Sequence, residues 1–130
     1  MRVHRAVIDA IVDHARREAP RECCGLLIGA DGTILESRAA RNLRRSEVAY
    51  LVAPEDHFAA IRAARASGLA VVGAYHSHPR SAAVPSATDI REATDPEFLY
   101  LIVSLRTIEP EIAAYRIADG AFAEVAFVEV

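Results

Sequence analysis

Apolar residues recur at helical spacing early in the chain. Val7, Ile8, Ile11, Val12 and Ala15 share one stripe, which predicts an amphipathic helix over residues 4–18 that Pro20 ends. Cys23 to Gly29 is an apolar run, Asp31-Gly32 offers the positive φ angles of a type I′ turn, and Ile34 to Ala40 returns, so a β-hairpin follows. Beyond a polar, arginine-rich loop at residues 41–46, the alternation of Val48, Tyr50 and Val52 predicts a further strand. Pro54 opens a second helix with Glu55 and Asp56 in its first turn, Phe58, Ile61 and Ala64 on its inner face, and Gly68 as its stop. Leu69 to Tyr75 lacks polar alternation, which predicts a strand buried on both faces. A short helix from Ala87 to Thr94 stops at Asp95-Pro96, and Phe98 to Ser104 reads as another buried strand. Ile112–Ile117 and Phe122–Val130 flank the turn Ala118-Asp119-Gly120-Ala121 as a terminal hairpin. This order predicts an α/β (α+β) class, a mixed sheet flanked by helices, in a single domain spanning residues 1–130.

Composition narrows the classes of function. At 52% hydrophobic and 25% charged residues the chain is not disordered, and its net charge of −3 provides no basic footprint for nucleic acid or anionic lipid. Charges interrupt the N-terminus before a signal-peptide core could form, and no apolar run approaches a membrane span, so a soluble, cytoplasmic protein is expected. Cys23 and Cys24 are adjacent and offer no disulfide framework; small buried residues on a strand are the expectation. The Pro-Cys-x-x-Cys and His-x-Glu pairs of zinc deaminases are absent, as is His-Glu-x-x-His.

The candidate chemistry lies in Tyr75-His76-Ser77-His78-Pro79 and in Ser86-Ala87-Thr88-Asp89. His76 and His78 are two apart, so in an extended segment both imidazoles project to one side, and Pro79 keeps His78 out of the helical region. Ser86 and Asp89 have the form of a capping box, from which Asp89 can face back toward the histidines. Two imidazoles and one carboxylate make the three-ligand set of a catalytic zinc site, with the fourth position left to water. A lone His-x-His is ordinarily a pair of satisfied surface histidines, and Ser-x-x-Asp ordinarily only a cap; their combination after a buried strand and before a helix carries the argument. His4, His14 and His57 fall in predicted helices and receive no role. Arg44 and Arg45 suit either an acidic partner or plain solvation.

His76-Ser77-His78-Pro79, then seven residues to Ser86 and two more to Asp89, matches the pattern of the JAMM (MPN+, Mov34/JAB-type) metalloproteases, and the chain resembles that family over nearly its whole length. The pattern also asks for a glutamate at the start of an early strand, the place of Glu22 in Pro20-Arg21-Glu22-Cys23-Cys24. The resemblance implies the JAB1/MPN (cytidine deaminase-like) fold. It further implies one zinc ion on His76, His78 and Asp89, with Glu22 as general acid/base and Ser86 supporting the intermediate. Residues 85–104 are similar to the compact bacterial CysO-cysteine peptidase type, which implies a small ubiquitin-like sulfur carrier with a Gly-Gly tail as substrate. Ser81, Ala82 and Ala83 suggest a site mouth of small residues able to admit such a tail. Deubiquitinase-like or general peptidase activity and an inert MPN scaffold are the alternatives. A DNA-linked RadC-like member would carry Asn where Ser77 stands. An oligomer is compatible with the sequence.

Overall fold

A computed structural model describes residues 1–130. Its elements are β1 (Arg2–Val3), α1 (Arg5–Glu18), β2 (Cys24–Ala30), β3 (Thr33–Ala40), α2 (Pro54–Ala66), β4 (Ala70–His78), α3 (Ala87–Glu92), β5 (Leu99–Ser104), β6 (Glu111–Ala118), β7 (Ala121–Val125) and β8 (Val128–Glu129). The strands form one mixed sheet in the order β7-β6-β5-β4-β2-β3-β1-β8. The pairs β4–β5, β1–β3 and β1–β8 are parallel, the others antiparallel. No helix is long and apolar enough to cross a membrane.

Strand alternation divides the sheet into two faces. Val7, Ile8, Ile11 and Ala15 of α1 pack with Cys23, Leu27, Tyr75, Leu99, Leu101 and Val103 in the main core. The next residue along each strand turns the other way: Leu26 and Ala74 meet Ala60 of α2, while Tyr100, Ile102 and Tyr115 enclose Ala83. Tyr75 crosses the main core so closely that a Cβ at Gly25 would collide with its ring and with the Arg38 carbonyl. At the hairpin, Asp31 (φ 52) and Gly32 (φ 75) take the positive angles read from the sequence.

Three expectations change. Val48, Tyr50 and Val52 form no strand; only an isolated bridge joins Val52 to Asn42. The segment is a loop built around the Asn42 side chain, whose Nδ2 donates to the Glu22 and Ala49 carbonyls and whose Oδ1 accepts from the Arg44 and Leu51 N–H groups. On α2 the buried residues are Ala60 and Ala64, while Phe58 is 61% exposed, because small side chains let the helix lie close to β2 and β4. The terminal hairpin stops at Val125, and β8 crosses to the far edge to pair with β1, a two-residue strand that no periodicity could reveal.

Candidate metal centre

β4 runs through His78 instead of ending at Tyr75, so His76 and His78 are both held in its ladder beside β5. Their side chains belong to the α2 face. Ser77, between them, points to the α1 face and its Oγ accepts the Cys23 N–H at 2.8 Å, which ties this end of β4 to the start of β2 next to Glu22. Asp89 comes from α3. Ser86 caps that helix: its Oγ accepts the Asp89 N–H (3.0 Å), and its own N–H donates to Asp89 Oδ2 (2.9 Å), completing the box and aiming the carboxylate.

The three side chains converge. His76 Nε2 and His78 Nε2 are 3.1 Å apart, and each lies 3.1 Å from Asp89 Oδ2. All three are buried, with 2%, 3% and 8% of their surface exposed. His78 Nδ1 donates to the Ala82 carbonyl at 2.8 Å; a carbonyl only accepts, so the proton sits on Nδ1 and the Nε2 lone pair faces the other two donors. Burial lowers the His76 pKa against the opposing pull of Asp89, keeping the ring neutral, as a ligand must be. Burial works against the Asp89 carboxylate, yet the two facing imidazoles and the Ser86 N–H outweigh it and hold its pKa well below the usual range. Tyr50 stacks on the His76 ring, with centroids 4.3 Å apart and planes 20° from parallel.

A group of this kind fits a metal ion. The two imidazole nitrogens and the carboxylate oxygen converge on one point with no hydrogen from His78 and at most one, on His76 Nε2, to share among them, whereas a tetrahedral ion with bonds of about 2.0–2.1 Å asks for donors roughly 3.3–3.4 Å apart. The observed edges of 3.1 Å are close to that. The set of two nitrogens and one oxygen, with no thiolate, is the open type. Cys23 and Cys24 do not join it: burial pushes their thiols up to about 11 and about 12.

Glu22 precedes β2 and is 5% exposed. Its N–H donates to the Ser46 carbonyl (2.8 Å) and its carbonyl accepts from Asn42 Nδ2 (3.0 Å), so the 41–53 loop fixes its backbone. Its Oε1 is buried without a hydrogen-bond partner. Burial raises the carboxyl pKa to about 7, with the charge of His78 lowering it and that of Asp89 raising it by smaller amounts. A cavity of about 650 Å³ runs past Glu22, His14, Arg21, Asn42 and Leu43 but includes none of the three donors. Those lie beneath Tyr50, in a segment that ion pairs Arg44–Glu92 and Arg80–Glu47, both 2.6 Å, tie to the opposite rim.

The fold gathers three of the side chains read from the sequence, His76, His78 and Asp89, with Ser86 beside them as a cap, and Glu22 is near enough for the charges of His78 and Asp89 to act on its carboxyl. The sequence did not indicate Tyr50, for which the only signal was an alternation that suggested a strand. Arg44 is paired within the chain to Glu92. Ala83 is buried against Tyr100, Ile102 and Tyr115, so its methyl group does not line a site mouth. His14 is satisfied internally by Tyr75 Oη at 2.8 Å.

Comparison with known proteins gives a consistent picture. Residues 4–118 match the family described as prokaryotic homologs of the JAB domain. The chain is 37% identical over 121 residues to the CysO-cysteine peptidase of Mycobacterium tuberculosis, covering 91% of this chain and 83% of that protein. It is 40% identical over 103 residues to the desampylase of Haloferax volcanii, covering 74% of each. The solution structure of a Desulfitobacterium hafniense protein superposes with a TM-score of 0.92 at 30% identity, over 99% of this chain and 92% of that one. A JAB1/MPN domain protein from Archaeoglobus fulgidus shares the fold, with a TM-score of 0.67 at 21% identity over 100% and 99% of the two chains.

Proposed function

The chain belongs to the prokaryotic JAB family and is a JAMM-type metallopeptidase, and from that premise we propose that it hydrolyses the bond following the C-terminal Gly-Gly of a small ubiquitin-like sulfur carrier. The observation that carries the chemistry is the pairing of a three-donor cluster with a buried, unpartnered carboxyl oxygen. His76, His78 and Asp89 would hold one zinc ion. Zinc there supplies two things, a water whose pKa is lowered to about 7 and polarisation of the scissile carbonyl.

The remaining work falls to the chain's own residues. Glu22, with a pKa near 7 and nothing bonded to Oε1, accepts the proton that the attacking water releases as its oxygen bonds the carbonyl carbon. The same carboxyl then delivers that proton to the amine nitrogen as the C–N bond breaks. Ser86 Oγ uses a lone pair on the Asp89 N–H, which leaves its hydroxyl hydrogen for the developing oxyanion. Tyr50 holds the His76 ring plane from above.

Support for the substrate comes from the relatives, whose names specify a CysO-cysteine peptidase and a desampylase. The test is to incubate the zinc-loaded protein with a sulfur-carrier conjugate, with the matching Gly-Gly-Cys peptide and with ubiquitin chains, and to follow all three by mass spectrometry. The proposal expects fast cleavage of the conjugate and slow cleavage of the peptide, because a carrier body bound away from the centre positions the scissile bond. Equal cleavage of conjugate and peptide would mark a general peptidase. Cleavage of ubiquitin chains alone would mark a deubiquitinase-like activity.

A further inference from the structure

Residues 79–86 join the donor His78 to the cap of the helix that carries Asp89. Three consecutive carbonyls of this loop are each held by a side chain from a different strand. Ser104 Oγ on β5 donates to the Ser81 carbonyl at 2.5 Å, His78 Nδ1 on β4 to that of Ala82 at 2.8 Å, and Tyr115 Oη on β6 to that of Ala83 at 2.7 Å. The register supplies the geometry, placing Ser104 beside His78 and Tyr115 beside Tyr100. Ser104 Oγ also accepts the Arg106 N–H at 3.2 Å, so its own hydrogen is committed to Ser81. The Tyr115 ring is buried and meets the edge of Phe122 at 6.1 Å and 88°.

Peptide units are rigid planes, so a carbonyl between two fixed carbonyls has little freedom to turn. The Ala82 carbonyl, which also accepts the Val84 N–H at 2.8 Å, is in that position, and it is the acceptor that keeps the His78 proton on Nδ1 while Asp89 Oδ2 faces Nε2. We propose that Ser104 and Tyr115 are positioning residues for the metal centre: by holding the carbonyls on either side of Ala82 they fix the His78 tautomer and the separation of His78 from Asp89. The proposal rests on the reading of the three donors as a metal centre. Neither hydroxyl touches a donor atom. Outer groups that orient a ligating histidine typically change metal affinity by about 10–100-fold when removed.

The test uses the full chain with Tyr115→Phe, Ser104→Ala, the double variant and His78→Ala. Zinc affinity is measured by competition with a chromogenic chelator, well below the unfolding midpoint, and the His78 tautomer by ¹⁵N NMR of the metal-free protein. The expected result is a single Nδ1–H tautomer in the wild type, with mixed tautomers and about 10–100-fold weaker zinc binding in the double variant. Tyr115→Phe, which keeps the ring, should show part of both effects. A purely structural role would lower the midpoint while leaving the tautomer and affinity alone. A double variant with wild-type zinc affinity and a single tautomer would overturn the proposal. Unchanged zinc binding in His78→Ala would instead overturn the metal reading beneath it, and the two failures are told apart by that variant.

Discussion

On the α1 face of the sheet, His14 and Tyr75 bond each other at 2.8 Å inside a core of Val, Ile and Leu, while one residue along β4, on the opposite face, His76 meets His78 and Asp89 with no hydrogen to satisfy all three. The first arrangement is closed: His14 Nδ1 and Tyr75 Oη satisfy each other within the chain. The second is open toward a metal ion, and beside it Glu22 keeps a buried oxygen without a partner. Stability is concentrated where α1 covers the sheet, and unsatisfied chemistry where α2, α3 and the 41–53 loop cover it. Because side chains alternate along a strand, both functions occupy the same nine residues, Ala70–His78.

Removing a donor should have the largest effect. Asp89→Ala is expected to lose stoichiometric zinc and with it detectable peptidase activity, read by elemental analysis and conjugate cleavage. Chelation sharpens this: at a zinc concentration of 100 times its Kd the ion stabilises the wild type by about 2.7 kcal/mol, so a chelator should lower the wild-type midpoint and leave that of Asp89→Ala unchanged. On the other face, Leu27→Ala should cost about 2–5 kcal/mol in denaturant unfolding, since Leu27 is fully buried, while zinc affinity stays as it was. Tyr75→Phe strands His14 Nδ1 in the core and should cost about 1–3 kcal/mol, again without loss of zinc.

A pH dependence separates the faces further. Burial lowers the His14 pKa below its ordinary value of 6.5, with Glu18, Arg17 and Asp13 making smaller contributions. The unfolded chain therefore binds the proton more readily than the folded one. The stability that His14 contributes is complete above about pH 6.5 and drains away as pH falls below it. Thermal midpoints measured from about pH 7.5 to about pH 5.5 should drop more steeply in the wild type than in His14→Gln. The smallest effect is expected from Arg44→Ala. Its partner Glu92 is exposed and such pairs add little, so the midpoint should not move measurably.

Much of this division was legible in the sequence. The α1 stripe, the Asp31-Gly32 turn and the apolar run into His76 are local signals, and the fold honours them. The donors were legible because strand alternation and a capping box each orient a side chain from within a few residues of sequence. What stayed hidden depends on distant partners. Tyr50 reaches His76 through a loop that the Asn42 side chain organises, and alternation over five residues could not distinguish that loop from a strand. Phe58 looked like an inner residue by hydrophobicity, but close approach of α2 favoured Ala60 and Ala64. The Tyr115 and Ser104 contacts join residues 32 and 23 positions apart, beyond any local pattern.

The most direct test of the account measures zinc content and conjugate cleavage together in Glu22→Gln. The substitution keeps size and shape while removing the proton carrier. The account predicts one zinc per chain, as in the wild type, with turnover reduced by about 10² to 10⁴-fold. A variant that loses its zinc would make Glu22 a ligand, and one that cleaves at the wild-type rate would remove it from the mechanism; either result contradicts the account.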